Sequence, residues 1–445
     1  MASENIAAIS TAPVASGVAV IRISGDSPLS VAQKMFKPLG KTAVCDFEPN
    51  KMYAGEIQAQ NFTDFGMCVY FKAPKSFTGE DTVEFHCHGG VAITRGILNK
   101  ILSSGARLAT NGEFTQRAFM NGKLSLSSAE GLIDMINSES ESGVKAGYYL
   151  YREKLLAKVN AIQDVLTDSL SQIDVDMDFP EEDIEQTATP LIKNDLIDCL
   201  NQIDGLLSTY RTGRALKTGV NVGIVGKPNT GKSSTLNALL NYDKAIVSSV
   251  AGTTRDVVEG SIDINGVRFN FFDTAGIRDG ADEIEEIGVS LSKKILDQSD
   301  LVLFIASADD FTSDDEKIYS LLEGKKVLFV MNKTDKSSFT DARADVYVCA
   351  LEKKNIDGLR NAIFEKTALG GVDLSGDFLC EERHFDALSR AKDKLLCALN
   401  SIQNVTLDLL AIDVKDAWDA LGEISGKTAT EEIINNIFAK FCVGK

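Results

Sequence analysis

Gly226-Lys-Pro-Asn-Thr-Gly-Lys-Ser233 follows directly on the apolar run Val220 to Val225, so this spacing falls where a buried strand gives way to a helix. Residues of these types hold phosphates. The glycines let backbone N–H groups turn inward, Lys232 meets the β- and γ-phosphates as a point charge, and Ser233 offers a hydroxyl to Mg²⁺. Asp273-Thr274-Ala275-Gly276 follows Phe269 to Phe272, which places Asp273 at a strand's carboxyl end near the metal and the γ-phosphate, with the Gly276 N–H as sensor of that phosphate. Asn332-Lys333-Thr-Asp335 closes a third apolar run, Val327 to Met331. Asp335 can accept hydrogen bonds from N1–H and the 2-amino group of guanine, whereas adenine would leave its carboxylate unpaired. The expected nucleotide is therefore GTP rather than ATP.

The elements between these motifs hold the remaining chemistry. Ala251-Gly-Thr-Thr-Arg-Asp256 lies between the phosphate loop and Asp273, where a first switch belongs, and makes Thr254 the second hydroxyl on Mg²⁺. A Gln that orients the attacking water would follow Gly276 in a Ras-like arrangement, but Ile277 stands there and cannot polarise water. The acidic run Asp282-Glu-Ile-Glu-Glu286 is the nearest alternative source, although such a run is ordinarily a solvated face. Neither Arg255 nor Arg278 is placed as a built-in arginine finger, so a bound monovalent cation could supply the charge. Asn229 could join backbone carbonyls around K⁺; capping a turn is an equally good use of its side chain.

The 445 residues, 44% of them hydrophobic, suffice for two or three domains with substantial cores. A net charge of −18 argues against broad phosphate-driven binding of nucleic acid, which needs clustered Lys and Arg. No apolar stretch approaches a membrane span, and Met1 to Pro13 lacks the basic and apolar blocks of an export signal. Cytoplasmic residence is expected, with the eight scattered cysteines as reduced thiols.

Strand-like and helix-like pieces alternate up to residue 119. Val18 to Ile23, Met67 to Phe71, Val83 to His88 and Arg107 to Thr110 read as strands, and Ile93, Ile97 and Ile101 as one helix face. From 120 to 217 the period turns helical, with the stripes Leu155, Val159, Ile162, Leu166, Leu170, Ile173 and Ile192, Leu196, Cys199, Ile203; Pro180 and Glu181-Glu-Asp183 lie between them as a connection. A GTP-binding module over 218–368 interrupts the helical pattern, which resumes over 369–445 with Phe385, Leu388, Leu395, Leu399 and Ile402. The last helix is expected from Thr428, with Glu431 completing a capping box. The fold class expected is a multidomain α/β plus all-α chain carrying an inserted Ras-like G domain.

Taken in order, Arg22-Ile-Ser-Gly25, Ser76-Phe-Thr-Gly-Glu-Asp81, His88-Gly-Gly90, Gly112-Glu-Phe, Arg117-Ala-Phe with Asn121-Gly-Lys123, Gly252-Thr-Thr-Arg-Asp256 and Phe441-Cys-Val-Gly-Lys445 resemble the MnmE (TrmE) family of tRNA modification GTPases from end to end. The resemblance implies an N-terminal α/β domain that dimerises and binds 5-formyl- or 5,10-methylene-tetrahydrofolate through Arg22, Glu84, Lys123 and Lys445. Arg22 and Glu84 would serve equally as a strand-to-strand ion pair. It implies GTP contacts from Asn229, Thr230, Gly231, Lys232, Ser233, Ser234, Ser248, Thr253, Thr254, Asp273, Thr274, Ala275, Gly276, Asn332, Lys333, Asp335 and Ala350. Mg²⁺ falls on Ser233 and Thr254, K⁺ on Asn229, Ser248, Val250 and Thr253, and the water-positioning carboxylate on Glu285. Cys442 matches the family's near-terminal cysteine, proposed to face the folate site, where a buried apolar filler is the plainer reading. His86-Cys87-His88 lacks a third metal ligand and is expected to be structural or substrate-facing. The usual Ser-Ala-Lys of the guanine-side loop is here Cys349-Ala-Leu351, which leaves the Ala350 N–H for the guanine oxygen but removes the lysine.

The implied function is GTP hydrolysis coupled to aminomethyl or carboxymethylaminomethyl modification of the wobble uridine at C5. It would proceed in a homodimer working with a flavin-containing MnmG-like partner that supplies most of the tRNA-binding surface. A GTP-gated assembly factor for ribosomes or a membrane surface is the alternative; such proteins share the G-domain motifs but lack the N-terminal strings and the terminal Cys-Val-Gly-Lys.

Overall fold

The computed structural model describes residues 4–178, 185–240, 260–273, 296–367, 369, 376–402 and 406–444. By backbone contacts the chain forms two compact units, one of 1–133, 151–156 and 419–445, the other of 134–150 and 157–418.

The first unit is built on a seven-stranded sheet. Its strands are β1 (Ile6–Ile9), β2 (Ser16–Gly25), β3 (Phe36–Pro38), β4 (Met52–Gln58), β5 (Thr63–Phe71), β6 (Asp81–Gly89) and β7 (Arg107–Leu108), in spatial order β3-β4-β5-β6-β2-β1-β7. All neighbours are antiparallel except β1 and β7. Period-2 alternation sends Ile21, Ile23, Cys68, Val83 and Phe85 into one core with Ile97 and Ile101 of α2 (Val91–Ser103), and each such aliphatic or aromatic side chain contributes ~1.5–3 kcal/mol on burial. The other face keeps Arg22, Glu84 and His86, together with the exposed apolar side chains of Val18, Met52, Phe65 and Met67.

The expected strands all exist, though β7 ends at Leu108 rather than Thr110. The strands β1, β3 and β4 carry no motif, and sequence reading passed over them. The last helix begins later than expected. It spans Glu431–Phe438 with Thr430 as its cap, accepting from the Ile433 N–H at 3.4 Å. Thr428 instead donates its hydroxyl to the Asp419 carbonyl, and with Ile433 as third helical residue no capping box forms. This helix and Phe441 pack with Leu126 and Ala129 of the segment Leu126–Asn137, and Val443 then bridges Asn111 beside the sheet.

The second unit combines long helices with a six-stranded sheet. The helices span Lys154–Asp178, Glu185–Ser208, Glu382–Ser401 and Leu407–Ser425, the first and last reaching into both units. The stripe expected in the first helix is buried except at Leu170, where Ser169 takes the inner position. Likewise Phe385 and Leu399 sit one residue off their helix's seam, which Ala387, Leu388, Ala391, Leu395 and Ala398 fill. The expected connection at 180–183 lies outside the described residues.

The sheet strands are β8 (Val220–Val225), β9 (Gly260–Ile264), β10 (Val267–Asp273), β11 (Leu301–Ser307), β12 (Val327–Asn332) and β13 (Val346–Tyr347), in order β13-β12-β11-β8-β10-β9. Only the β9 edge is antiparallel. β8, β11 and β12 are near-continuous apolar runs, as strands covered on both faces must be, whereas β10 alternates, burying Val267, Phe269 and Phe271 with Arg268 and Asn270 between them. The chain leaves β8 toward β10 on one side and continues through β11, β12 and β13 on the other, so a crevice opens at the carboxyl ends of β8 and its neighbours. No described helix is long and apolar enough to cross a membrane.

Candidate functional site

The phosphate loop turns from β8 into the helix Lys232–Leu240. Gly226 adopts φ +156°, and a Cβ there would strike the Ile305 carbonyl of β11; Gly231 adopts φ +95°, where a Cβ would strike the Asn332 amide. Both glycines are thus required by close approach as well as by backbone conformation. Asn229 is also left-handed, at φ +64°. Lys232, 8% exposed, donates from Nζ to the carbonyls of Gly226 at 2.8 Å and Lys227 at 2.7 Å. Thr230, buried, donates its hydroxyl to the Lys227 carbonyl at 3.0 Å. Ser233 and Ser234 are exposed on the first helical turn.

Asn332 ties this loop to the base side. It is 2% exposed, donates Nδ2 to the Thr230 carbonyl at 3.0 Å, and accepts at Oδ1 from the Ala350 N–H at 3.1 Å. The Ala350 amide, expected to face the guanine oxygen, is thus engaged with Asn332. Lys333 is left-handed at φ +59°, its Nζ 3.5 Å from Asp309. Asp335 is exposed, and the Cys349 thiol donates to its Oδ1 at 3.0 Å. That hydrogen bond, chief among the causes, holds the Asp335 carboxyl below its usual range. Burial first, then Asp335, push the Cys349 thiol up and keep it a protonated donor. Leu351, in place of the usual lysine, is 83% exposed.

Asp273 ends β10 beside Ile224 of β8, the backbone position expected for it. The expected sites at Ser248, Val250, Thr253, Thr254, Thr274, Ala275, Gly276, Glu285 and Lys445 lie outside the described residues. The structure therefore brings together the phosphate loop, the end of β10 and the two guanine-side loops.

In the first unit Arg22 and Glu84 are cross-strand partners in the β2–β6 register, joined from Nε to Oε1 at 2.7 Å. Both are mostly buried, and the guanidinium lies 5.4 Å from the Phe77 ring centroid and 5.7 Å from that of Phe114. Burial alone would raise Glu84, but His86 and Arg22 outweigh it and hold its carboxyl below the ordinary value. His86 stands 3.5 Å from Glu84, and His88 meets Asp64 at 2.6 Å. Cys87 points into the core, its thiol pushed up by burial to about 11. The alternation thus places the two histidines on one face, each beside its own carboxylate. Lys123 donates to the Pro74 carbonyl at 3.0 Å.

Sequence reading missed the ion network behind this face. Glu113 receives Arg107 at 2.6 and 2.8 Å, Arg117 at 3.0 Å and the Thr110 N–H at 2.9 Å, while Arg117 also reaches Glu80 at 3.0 and 3.2 Å. Burial opposes ionisation of Glu113, yet Arg107, Thr110 and Arg117 bring its carboxyl down to about 2. Asn121 closes the loop by donating to the Thr78 carbonyl at 2.8 Å. Several of the N-terminal strings thus lock the segment around Thr78 to the helix Glu113–Met120. The terminal Cys442 is exposed, which rules out the apolar-filler reading. All eight cysteines are free.

The family model described as MnmE helical domain matches residues 126–442, and that described as GTP-binding protein TrmE N-terminus matches residues 5–123. A tRNA modification GTPase MnmE from Alkaliphilus oremlandii is 36% identical over 457 residues, covering 99% of each chain. Proteins of the same name from Thermoanaerobacter pseudethanolicus and Caldicellulosiruptor saccharolyticus are each 37% identical, over 465 and 457 residues and 100% of both chains. Among solved structures, Aquifex aeolicus Era bound to GDP.AlF4- is 29% identical across 40% of this chain and 66% of its own, at a TM-score of 0.28, too low to bear on the fold.

Proposed function

This chain belongs to the family of the tRNA modification GTPase MnmE, and on that premise we propose that it hydrolyses GTP to GDP and phosphate to drive modification of the wobble uridine of certain tRNAs. The observation that carries the nucleotide reading is the Asn332 clip. One buried side chain joins the phosphate loop at Thr230 to the guanine-side loop at Ala350, fixing phosphate and base subsites against each other.

In this reading Lys232 neutralises the β- and γ-phosphates from an ammonium already aimed by two loop carbonyls, and Asp335 selects guanine with its carboxylate oriented by Cys349. Ser233 and Thr254 hold Mg²⁺, which supplies charge neutralisation for phosphoryl transfer. Asn229, Ser248, Val250 and Thr253 hold K⁺, and Glu285 positions the attacking water. Asn229 has left-handed backbone within the phosphate loop, at φ +64°, a conformation that Asn tolerates.

The three-part organisation, with 1–119 N-terminal, 120–217 and 369–445 helical and 218–368 the inserted G domain, completes the proposal. Folate binding falls on Arg22, Glu84, Lys123 and Lys445: a mostly buried guanidinium and carboxylate on an open sheet face suit a ligand with an anionic tail and a donor edge. The exposed Val18, Met52, Phe65 and Met67 on that face support a homodimer. The net charge of −18 supports a division of labour in which a flavin-containing MnmG-like partner carries most of the tRNA contact, in the cytoplasm.

Exchanging the guanine reader tests the nucleotide reading. Asp335→Asn is expected to lower GTP affinity by about a thousandfold or more and to create binding of XTP, whose 2-oxo group suits an amide donor. Retention of GTP binding by this variant, measured by equilibrium titration, would refute the reading.

A further inference from the structure

We propose that Lys227 is a positioning residue for the nucleotide's β- and γ-phosphates, anchored by the buried carboxylate of Asp315. The inference rests on the GTP reading above and adds to it a residue at the second place of the phosphate loop.

The backbone carbonyl of Lys227 accepts both the Thr230 hydroxyl and the Lys232 ammonium. The backbone at Lys227 therefore sets the direction of Lys232 together with the Gly226 carbonyl. That backbone is held through its own side chain, which leaves the loop for the connection between β11 and the helix Ser313–Ser320. There Nζ meets Asp315 Oδ2 at 2.8 Å, the Asp310 carbonyl at 2.9 Å and Thr312 Oγ1 at 2.9 Å, a full complement for an ammonium.

Asp315 is fully buried as the third residue of that helix, where its Oδ2 also accepts the Thr312 N–H at 2.8 Å in a capping box. Its other oxygen, Oδ1, is buried without a hydrogen-bond partner. A carboxylate so enclosed depends on the Lys227 charge, since burying an ion without its partner is strongly unfavourable. Capping a short helix at the surface needs neither a buried acid nor a lysine brought in from the phosphate loop.

The same connection also braces the base side. The Ala308 N–H donates to the Asn332 carbonyl at 2.9 Å, and Asp309 lies 3.5 Å from Lys333 and 3.6 Å from Lys336. One segment from Ala308 to Asp315 thereby backs both nucleotide loops.

The test uses the full chain with Mg²⁺ and compares GTP, GDP and GMP by equilibrium binding. Asp315→Asn keeps an oxygen for the cap and removes the charge. It is expected to cost about tenfold in GTP and GDP affinity, the scale of a hydrogen bond to a charged group, with GMP within about twofold of wild type. The uncharged pair Lys227→Met with Asp315→Asn leaves no buried orphan ion, so it reads the same quantity even if the single variant melts. It is expected to match the single variant's loss and not exceed it.

Equal losses for GMP and GTP would mark a general defect of the fold and overturn the proposal, as would unchanged GTP affinity or multiplied losses in the double variant. A wild-type chain that bound ATP as well as GTP would instead refute the guanine reading, and ADP against AMP would still decide the role of Lys227.

Discussion

The nucleotide site and the polar face of the N-terminal sheet manage charge in opposite ways. At the nucleotide site, carbonyls aim a cation: Lys232 rests on Gly226 and Lys227, and Asn332 clips one loop to the other. On the sheet face and in the network behind it, side chains neutralise one another: Arg22 meets Glu84 and His88 meets Asp64 on the face, and Arg107 and Arg117 share Glu113 behind it. Backbone carbonyls aim a charge without neutralising it. A side-chain network must be partly unmade before a ligand can use it.

That contrast can be broken most severely at Glu285. Glu285→Ala is expected to lower single-turnover GTP hydrolysis by about a hundredfold or more while GTP affinity stays within about twofold. Unchanged hydrolysis in a rapid-quench assay would remove the carboxylate from the mechanism. Arg22→Ala addresses the other region, where about a tenfold loss of tetrahydrofolate affinity is expected with the GTPase rate unaltered. Calorimetry showing intact folate binding would reduce the Arg22 and Glu84 pair to a strand-to-strand brace.

The smallest effects concern pH, and here two buried clusters should respond with opposite signs. Glu113 titrates at about 2 when folded and 4.5 otherwise, so its contribution is present above pH 4.5 and lost as pH falls toward 2. Asp134 shares Lys217 with Glu381 in the second unit, and burial followed by the Glu381 charge raises its carboxyl above the ordinary value of 3.8. A folded-state value raised in this way stabilises below pH 3.8, and the contribution is lost as pH rises through the raised value. Asp134→Asn should therefore raise the thermal midpoint at pH 8 more than at pH 5, and Glu113→Gln should lower it at pH 7 more than at pH 3. Midpoints that shift equally at both pH values would contradict these assignments.

The same contrast explains what could be read from the sequence. Val220 to Val225, Phe269 to Phe272 and Val327 to Met331 were legible because each apolar run ends in a residue type tied to phosphate or base chemistry. β11 is equally apolar but ends in no such motif, so nothing marked it. Arg22 and Glu84 could be paired on paper, but their contact depends on β2 meeting β6 in one register. Lys227 with Asp315, and Lys217 with Asp134 and Glu381, join residues distant along the chain through side chains alone, and no local pattern announces them. The misplaced helix start has a local cause, since Thr428 and Thr430 are both credible caps and only the turn held by Asp419 decides between them.

Mass spectrometry of tRNA nucleosides from cells lacking this protein tests the central claim most directly. Loss of the C5-modified wobble uridines, restored by the wild-type chain and not by Glu285→Ala, is the predicted result. A full complement of modified wobble uridines in the absence of the protein would contradict it.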